Sequence, residues 1–219
     1  LVRGVTEGAS APGLLLSVLR ADDFLRKVLV RRQGDVDLLL RDVRRLEALV
    51  HRADRPVQII FAGKAHPSDR AGQEVLRRVV EASRRDGLAG RLLFLDDYDI
   101  GLARELVRGV DVWVNTPIRG LEASGTSGMK AAANGALHLS IRDGWWDEAF
   151  DGTNGFVIGG GTPGRAASTE ANDDLDAASL YKVLEDEVVP LFFDRDERGV
   201  PRRWLERVRR CLATLPPTF

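Results

Sequence analysis

Cysteine is nearly missing from this chain of 219 residues: Cys211 stands alone. One thiol excludes an intrachain disulfide and argues against a thiolate-built metal cluster. It fits a reducing, cytoplasmic compartment. Lysine is scarce as well. Of 32 basic residues only Lys27, Lys64, Lys130 and Lys182 are lysines, so arginine carries almost all the positive charge. The 33 acidic residues bring the net charge to -1. No global field steers nucleic acid or acidic lipid toward such a surface, and neither is expected as a partner. No apolar run approaches the roughly 20 residues that cross a bilayer, so no membrane association is expected. The N-terminus lacks a basic region, apolar core and cleavage site in the usual order, and it lacks an initiating Met. It reads as an excised piece or fragment of something longer. His66 and His138 have no acid or thiol neighbours at ligand spacing, so no metal is expected. No internal repeat or low-complexity tract occurs.

What is present is ordinary for a soluble globular protein: 44% apolar and 30% charged residues. The length suffices for one large domain or two small ones. Residues 1–34 are hard to read, and LLLSVL fits a strand or a helix turn. From Val36 to Val50 the apolar residues recur at helical spacing. VQIIF, after Pro56, reads as a buried strand ending at Ala62-Gly63. SDRAGQEVLRRVVEASRRDG is a helix capped by Ser68 or Asp69, with Gly87 near its end. RLLFL, DIGLARELVRG and DVWVN follow as strand, helix and strand. ALHLSI is a fourth strand, and DGTNGFVIGG holds one short strand. DLDAASLYKVLEDEVVPLFF is an amphipathic helix that Pro190 stops or kinks. PRRWLERVRRCLATL is the last helix, with Pro201 suited to its first turn.

Alternating strands and helices predict an α/β fold with an open, mostly parallel, Rossmann-like sheet. Such sheets bind ligands at the carboxyl ends of their strands. Three marked loops are predicted there: Gly63-Lys64, Asp96-Asp97-Tyr98, and residues 119–130. The last contains GLEASGTSGMKAAANGALHLS, in which small residues crowd in front of Lys130. Glycines let backbone N–H groups turn toward one point, and a helix N-terminus adds unpaired N–H groups and partial positive charge. Together they suit a phosphate or similar anion. A lysine in the first turns opposes the helix dipole. A bound phosphate offsets that cost, and so does a covalent imine to an aldehyde cofactor. The plain alternative is a tight connection with an exposed lysine. The spacing matches neither a Walker loop nor the dinucleotide fingerprint.

EASGTSGMK, followed by NGAL and DGWW, resembles the cofactor segment of the alpha-glucan phosphorylases (glycogen, starch and maltodextrin phosphorylases). FAGKAHPSD, RLLFLDDYDIGLARELVRGVDVW, DGTNGFVIG and EVVPLFFDRDERGVPRRWLERVR resemble the same family, especially its shorter bacterial branch. The resemblance covers roughly residues 36–219. It implies the C-terminal domain of a two-domain GT-B glycosyltransferase fold. The boundaries are 1–34 for a poorly matched segment and 35–219 for the phosphorylase-like domain, which ends early for the family.

By that resemblance Lys130 is the catalytic lysine that holds pyridoxal 5'-phosphate as a Schiff base. Thr126, Ser127 and Gly128 would cradle the cofactor phosphate, with Gly135 and Tyr98 near it. Gly135 fits a simple helix stop equally well, and Tyr98 a core tyrosine. Glu122, Ser124 and Gly125 resemble the segment that holds the transferred glucose. A carboxylate accepts sugar hydroxyls strongly, and a glycine admits close approach of the ring. Lys64 would add positive potential or form a structural salt bridge. His138 is expected to be packed or hydrogen-bonded, and Trp145 and Trp146 to be buried in the core or between domains. The adjacent acids Asp147 and Glu148 are not read as a glycosidase pair.

The implied reaction is reversible phosphorolysis of a terminal alpha-1,4 bond, giving glucose 1-phosphate, and it is expected of the whole two-domain enzyme, not of this chain alone. The implied partners are an alpha-1,4-glucan, inorganic phosphate and the N-terminal half of a phosphorylase. The oligomeric state, a homo-oligomer included, stays open. One departure stands out. The family's Tyr-Lys-Arg segment is absent, and VLVRRQGDVDLLLRD stands in its place, with Arg31 and Arg32 as a remnant. The alternatives are a nucleotide-sugar glycosyltransferase of the same architecture and a non-catalytic glucan-binding paralogue.

Overall fold

The structure, a computed structural model, describes residues 14–19, 38–122, 124–159 and 169–219. Among these, β1 (Leu14–Leu19), β2 (Val57–Ala62), β3 (Leu92–Leu95), β4 (Val112–Asn115), β5 (Leu137–Ile141) and β6 (Phe156–Ile158) form one sheet in the order β3-β2-β1-β4-β5-β6. Every neighbouring pair is parallel. This is the doubly wound Rossmann-like order, in which the chain reverses direction across the sheet next to its first strand. LLLSVL is therefore a strand, and β1 lies between β2 and β4. The sheet draws on the segment before residue 35. A short apolar run does not distinguish strand from helix by periodicity alone, which is why its place at the centre was not legible.

The helices are α1 (Val43–Val50), α2 (Arg70–Ser83), α3 (Ile100–Gly109), α4 (Thr126–Ala133), α5 (Trp145–Ala149), α6 (Thr169–Val183), α7 (Val189–Phe193) and α8 (Arg202–Thr214). Along β4, Val112 and Val114 join one core cluster and Trp113 the other. Ile59 and Phe61 of β2 likewise part from Ile60 and Ala62. Successive side chains point to opposite faces of a strand, so helices cover both faces of this sheet. All residues of β4 and β5 are buried, as a parallel sheet sandwiched by helices requires. The smaller cluster joins Ala131 of α4 and Leu106 of α3 to Trp113, with Tyr98 packed at its border.

Several boundaries differ from the sequence reading, each for a local reason. The periodic run ending at Val50 is broken: Leu38–Leu40 forms a 3-10 turn, and α1 starts only at Val43. Asp42 caps α1 by accepting the Arg45 N–H at 2.9 Å. The buried Tyr181 hydroxyl donates toward the carbonyls of Leu39 and Asp42, which holds the break in place. Asp69 is the cap of α2, accepting the Gly72 N–H at 2.8 Å. The helix leading to Pro190 begins at Thr169, not Asp174. It does not stop at the proline. A π-helical turn, Leu184–Val188, precedes it, and Pro190 enters α7 at its first turn. Proline lacks an N–H and its ring crowds the carbonyl four residues back; a wider turn relieves both. Pro201 caps α8 from just outside the helix.

Candidate functional site

In a parallel sheet the carboxyl ends of the strands share one edge. Gly63-Lys64 follows β2, Asp96-Asp97-Tyr98 follows β3, and the segment from Thr116 to Gly125 follows β4, so all three predicted loops leave from that edge. Asp97 has φ 51, a left-handed conformation that Asp tolerates better than most side chains. Lys64 is exposed.

The β4–α4 loop ends at Gly125, with φ 89 and ψ 42. Its left-handed backbone turns the chain directly into α4. No side chain caps this helix. The Gly128 N–H bonds back to the Gly125 carbonyl at 3.1 Å. Thr126 and Ser127 open the helix, where N–H groups have no intrahelical acceptor. A Cβ at Gly125 would lie 3.0 Å from Trp145 Cδ1, 3.3 Å from Trp145 Nε1 and 3.4 Å from Glu122 Oε1. The loop thus brings the Glu122 carboxylate, the Gly125 backbone and the start of α4 into one cluster. Ser124 joins it through its carbonyl, which accepts the Trp145 N–H at 3.0 Å.

Beneath the first turn lies His138 of β5, with 0% exposure. A Cβ on Gly128 would meet its Cε1 at 2.5 Å, so the helix rests on the ring through a bare glycine. His138 also packs on Trp145 and, edge to face, on Trp146, with centroids at 5.2 and 4.8 Å. Burial pushes its pKa down to about 3, and a backbone group of Trp113 partly opposes the fall. Neither ring nitrogen has a partner in hydrogen-bonding geometry. His138 is packed, as expected, but not hydrogen-bonded. Ser127 Oγ, Trp113 Nε1 and Trp145 Nε1 are also buried without partners. Each such group costs about 1–3 kcal/mol, and here they gather around one helix start. Trp146 differs: its Nε1 donates to the Phe156 carbonyl at 3.1 Å.

Lys130 is exposed, one turn beyond Thr126, which is exposed too. Residues four apart share a helix face, about 6 Å apart along the axis. Among the described residues the Lys130 amine has no ion-pair partner. Its carbonyl accepts from Asn134 Nδ2 at 2.8 Å. Gly135 is not brought to this end of the helix. It lies past the C-terminus of α4 at φ 87, its N–H bonded to the Ala132 carbonyl, about 13 Å from the helix start. A side chain there would face Val208 and Leu212 of α8. The helix-stop reading of Gly135 is the one the geometry supports.

Sequence reasoning missed Asp143. Its Oδ2 accepts the N–H groups of Leu121 and Glu122, both at 3.1 Å. The signal was an Asp-Gly pair directly after a strand, a turn signature. Trp113 was likewise not singled out. Arg31 and Arg32 lie outside the described residues, as does most of the polar segment before α6. The described residues contain no group of three or more His, Cys, Asp or Glu side chains able to hold a metal, and no helix among them is long and apolar enough to cross a membrane.

As chemistry, the site offers an uncapped helix start for an oxyanion, an exposed primary amine one turn on, and a carboxylate beside a glycine. The sequence pattern of the carbohydrate phosphorylase family matches residues 38–178. A glycogen phosphorylase of Aquifex aeolicus is 47% identical over 186 residues, covering 84% of this chain and 26% of that protein. One of Mycobacterium tuberculosis is 49% identical over 194 residues, covering 89% and 22%. A maltodextrin phosphorylase of Thermococcus litoralis is 46% identical over 182 residues, covering 83% and 21%. The chain spans about a quarter of the length of these relatives. On the family match and these identities together, the chain belongs to the carbohydrate phosphorylase family, in the alpha-glucan branch that includes the glycogen and maltodextrin phosphorylases.

Proposed function

We propose that this chain is the cofactor- and glucose-binding part of an alpha-glucan phosphorylase of GT-B architecture. In the whole enzyme a second, N-terminal half closes the cleft. The reaction is attack of inorganic phosphate on a terminal alpha-1,4-glucosidic bond, releasing glucose 1-phosphate. The observation that carries the reading is the Gly125 turn into an uncapped α4, with the Lys130 amine one turn along and Glu122 Oε1 3.4 Å from the Cβ position of Gly125.

Pyridoxal 5'-phosphate fits the chemistry of these groups and, when bound, supplies a phosphate that exchanges a proton with substrate phosphate. The Lys130 amine is the point of covalent attachment. The Thr126 hydroxyl and the first N–H groups of α4 receive the cofactor phosphate, drawn by the helix dipole. The Ser127 hydroxyl, buried without a partner, adds an unspent donor close to them. Tyr98 borders the same cluster as Ala131, which sets it on the α4 face of the sheet. The Glu122 carboxylate accepts hydroxyl donors of the glucose unit, and Gly125 lets the ring approach the backbone. His138, neutral and buried, contributes no cation. Two phosphates held close require positive charge, and Lys64 and the helix start are the described groups that would supply it.

Incubation with pyridoxal phosphate, borohydride reduction and peptide mapping test the assignment. Label on the peptide that contains Lys130, absent from Lys130→Ala, is expected. Label spread over other lysines, or none, would overturn it. A nucleotide-sugar enzyme of the same architecture would give no such label.

A further inference from the structure

The turn after β5 grips the loop after β4. Asp143 Oδ2 accepts two N–H groups, those of Leu121 and Glu122, and its Oδ1 accepts the Gly144 N–H at 2.9 Å. Two residues on, the Trp145 N–H reaches the Ser124 carbonyl. Gly144 sits between them at φ 53. A Cβ there would lie 2.8 Å from the Ser124 carbonyl oxygen and 2.9 Å from Glu122 Cγ. So the two loops touch backbone to backbone, and only glycine fits. Past Asn115 the chain has left the β4 ladder. These bonds replace it.

We infer that Asp143 is a positioning residue: its carboxylate fixes the backbone of Leu121 and Glu122, and so aims the Glu122 side chain at the sugar. The inference deepens the proposed function and rests on it for the identity of the ligand. Three N–H groups converge on one carboxylate, and a charged acceptor binds each more strongly than a neutral one. Asparagine, with one amide oxygen, could still turn it toward Leu121 and Glu122 and lose only the Gly144 bond, so alanine is the replacement that removes the clamp. A ligand-holding group displaced by about 1 Å can lose on the order of 100-fold in rate, so a loop without a ladder needs such a clamp.

The test compares the full chain with Asp143→Ala by amide hydrogen exchange, calorimetric binding of maltopentaose, and borohydride trapping of pyridoxal phosphate on Lys130. Exchange at Leu121 and Glu122 is expected to rise at least about 10-fold, and the maltopentaose Kd to weaken about 10-fold. Trapping on Lys130, which lies beyond the clamp, should stay within about twofold. Unchanged exchange at both amides would overturn the inference. So would faster exchange with unchanged maltopentaose affinity. A parent chain that traps cofactor on Lys130 yet binds no maltopentaose would sink the positioning role while sparing the cofactor reading. A parent that binds maltopentaose but traps nothing would do the reverse. Should Asp143→Ala fail to fold, Asp143→Ser, whose shorter side chain keeps one acceptor oxygen, is carried through the same measurements.

Discussion

Gly128 stands on His138. A Cβ at Gly128 would lie 2.5 Å from His138 Cε1, 2.9 Å from Nε2 and 3.0 Å from Nδ1, and the ring is wholly buried. The height of the α4 start above the sheet is therefore set by a glycine lying flat on an imidazole. Gly128→Ala has nowhere to put its methyl unless the helix lifts or the ring is displaced. Overpacking of this kind costs about 1–3 kcal/mol, and denaturant unfolding should show it. His138→Ser makes room. In a double-mutant cycle the pair should couple by at least about 0.5 kcal/mol. Simple additivity would mean the two do not press on each other.

Acid should expose the same ring. His138 has a folded pKa near 3 because burial disfavours its charged form, whereas an unfolded histidine titrates near 6.5. The unfolded chain takes up the proton first as pH falls. The stabilisation from keeping His138 neutral is thus complete above about pH 6.5 and is lost as pH falls toward 3, at roughly 1.4 kcal/mol per unit. Its named neighbours, Trp113, Trp145, Trp146 and Gly128, carry no titratable group near neutrality. His138→Leu should remove about 2 kcal/mol of the stability difference between pH 7 and pH 5. Parallel urea curves for the parent and variant would measure it. Equal pH slopes would show that this histidine is not the group responsible.

Much of this fold could be read before it was seen, because strands and helices announce themselves by period. VQIIF, RLLFL, DVWVN and ALHLSI are the strands β2 to β5, and Asp69 is the cap of α2. The site loop was legible through its glycines. What was hidden depends on contacts between segments distant in sequence. Asp143 and Leu121 lie 22 residues apart, and nothing local ties them. Tyr181 reaches back 142 residues to Leu39, so the break before α1 could not be read from the apolar spacing around it. Gly135 was ambiguous because a glycine after a helix suits either a stop or an anion, and only its distance from the helix start decides. The side chains that line the underside of α4 come from β4, β5 and α5, a layer that local pattern does not reveal.

Gly135 gives a prediction that separates structural from ligand-binding glycines. Its φ of 87 is costly for any side chain, yet a Cβ would meet only Val208 and Leu212, at 3.7 and 4.0 Å. Gly135→Ala should therefore lose only the left-handed penalty, about 1 kcal/mol. Trapping of pyridoxal phosphate on Lys130 should be unchanged. Gly125→Ala, in contrast, drives a methyl into Trp145 and Glu122 as well, and should abolish trapping before it abolishes folding. Equal loss of trapping in both variants would return Gly135 to the cofactor site.

The two adjacent tryptophans should respond oppositely to the same change. Trp146 donates from Nε1 to the Phe156 carbonyl. Trp146→Phe removes that donor and leaves a buried carbonyl unpaired, a loss of about 1–3 kcal/mol. Trp145 Nε1 has no partner. Trp145→Phe keeps an aromatic ring between His138 and Phe219 and deletes a buried donor that bonds to nothing, so stability should hold or rise slightly. Thermal midpoints of the two variants decide. If Trp145→Phe is the more damaging, its N–H is already engaged in the folded chain. The cluster of unspent polar groups under α4 would then be one smaller than the structure implies.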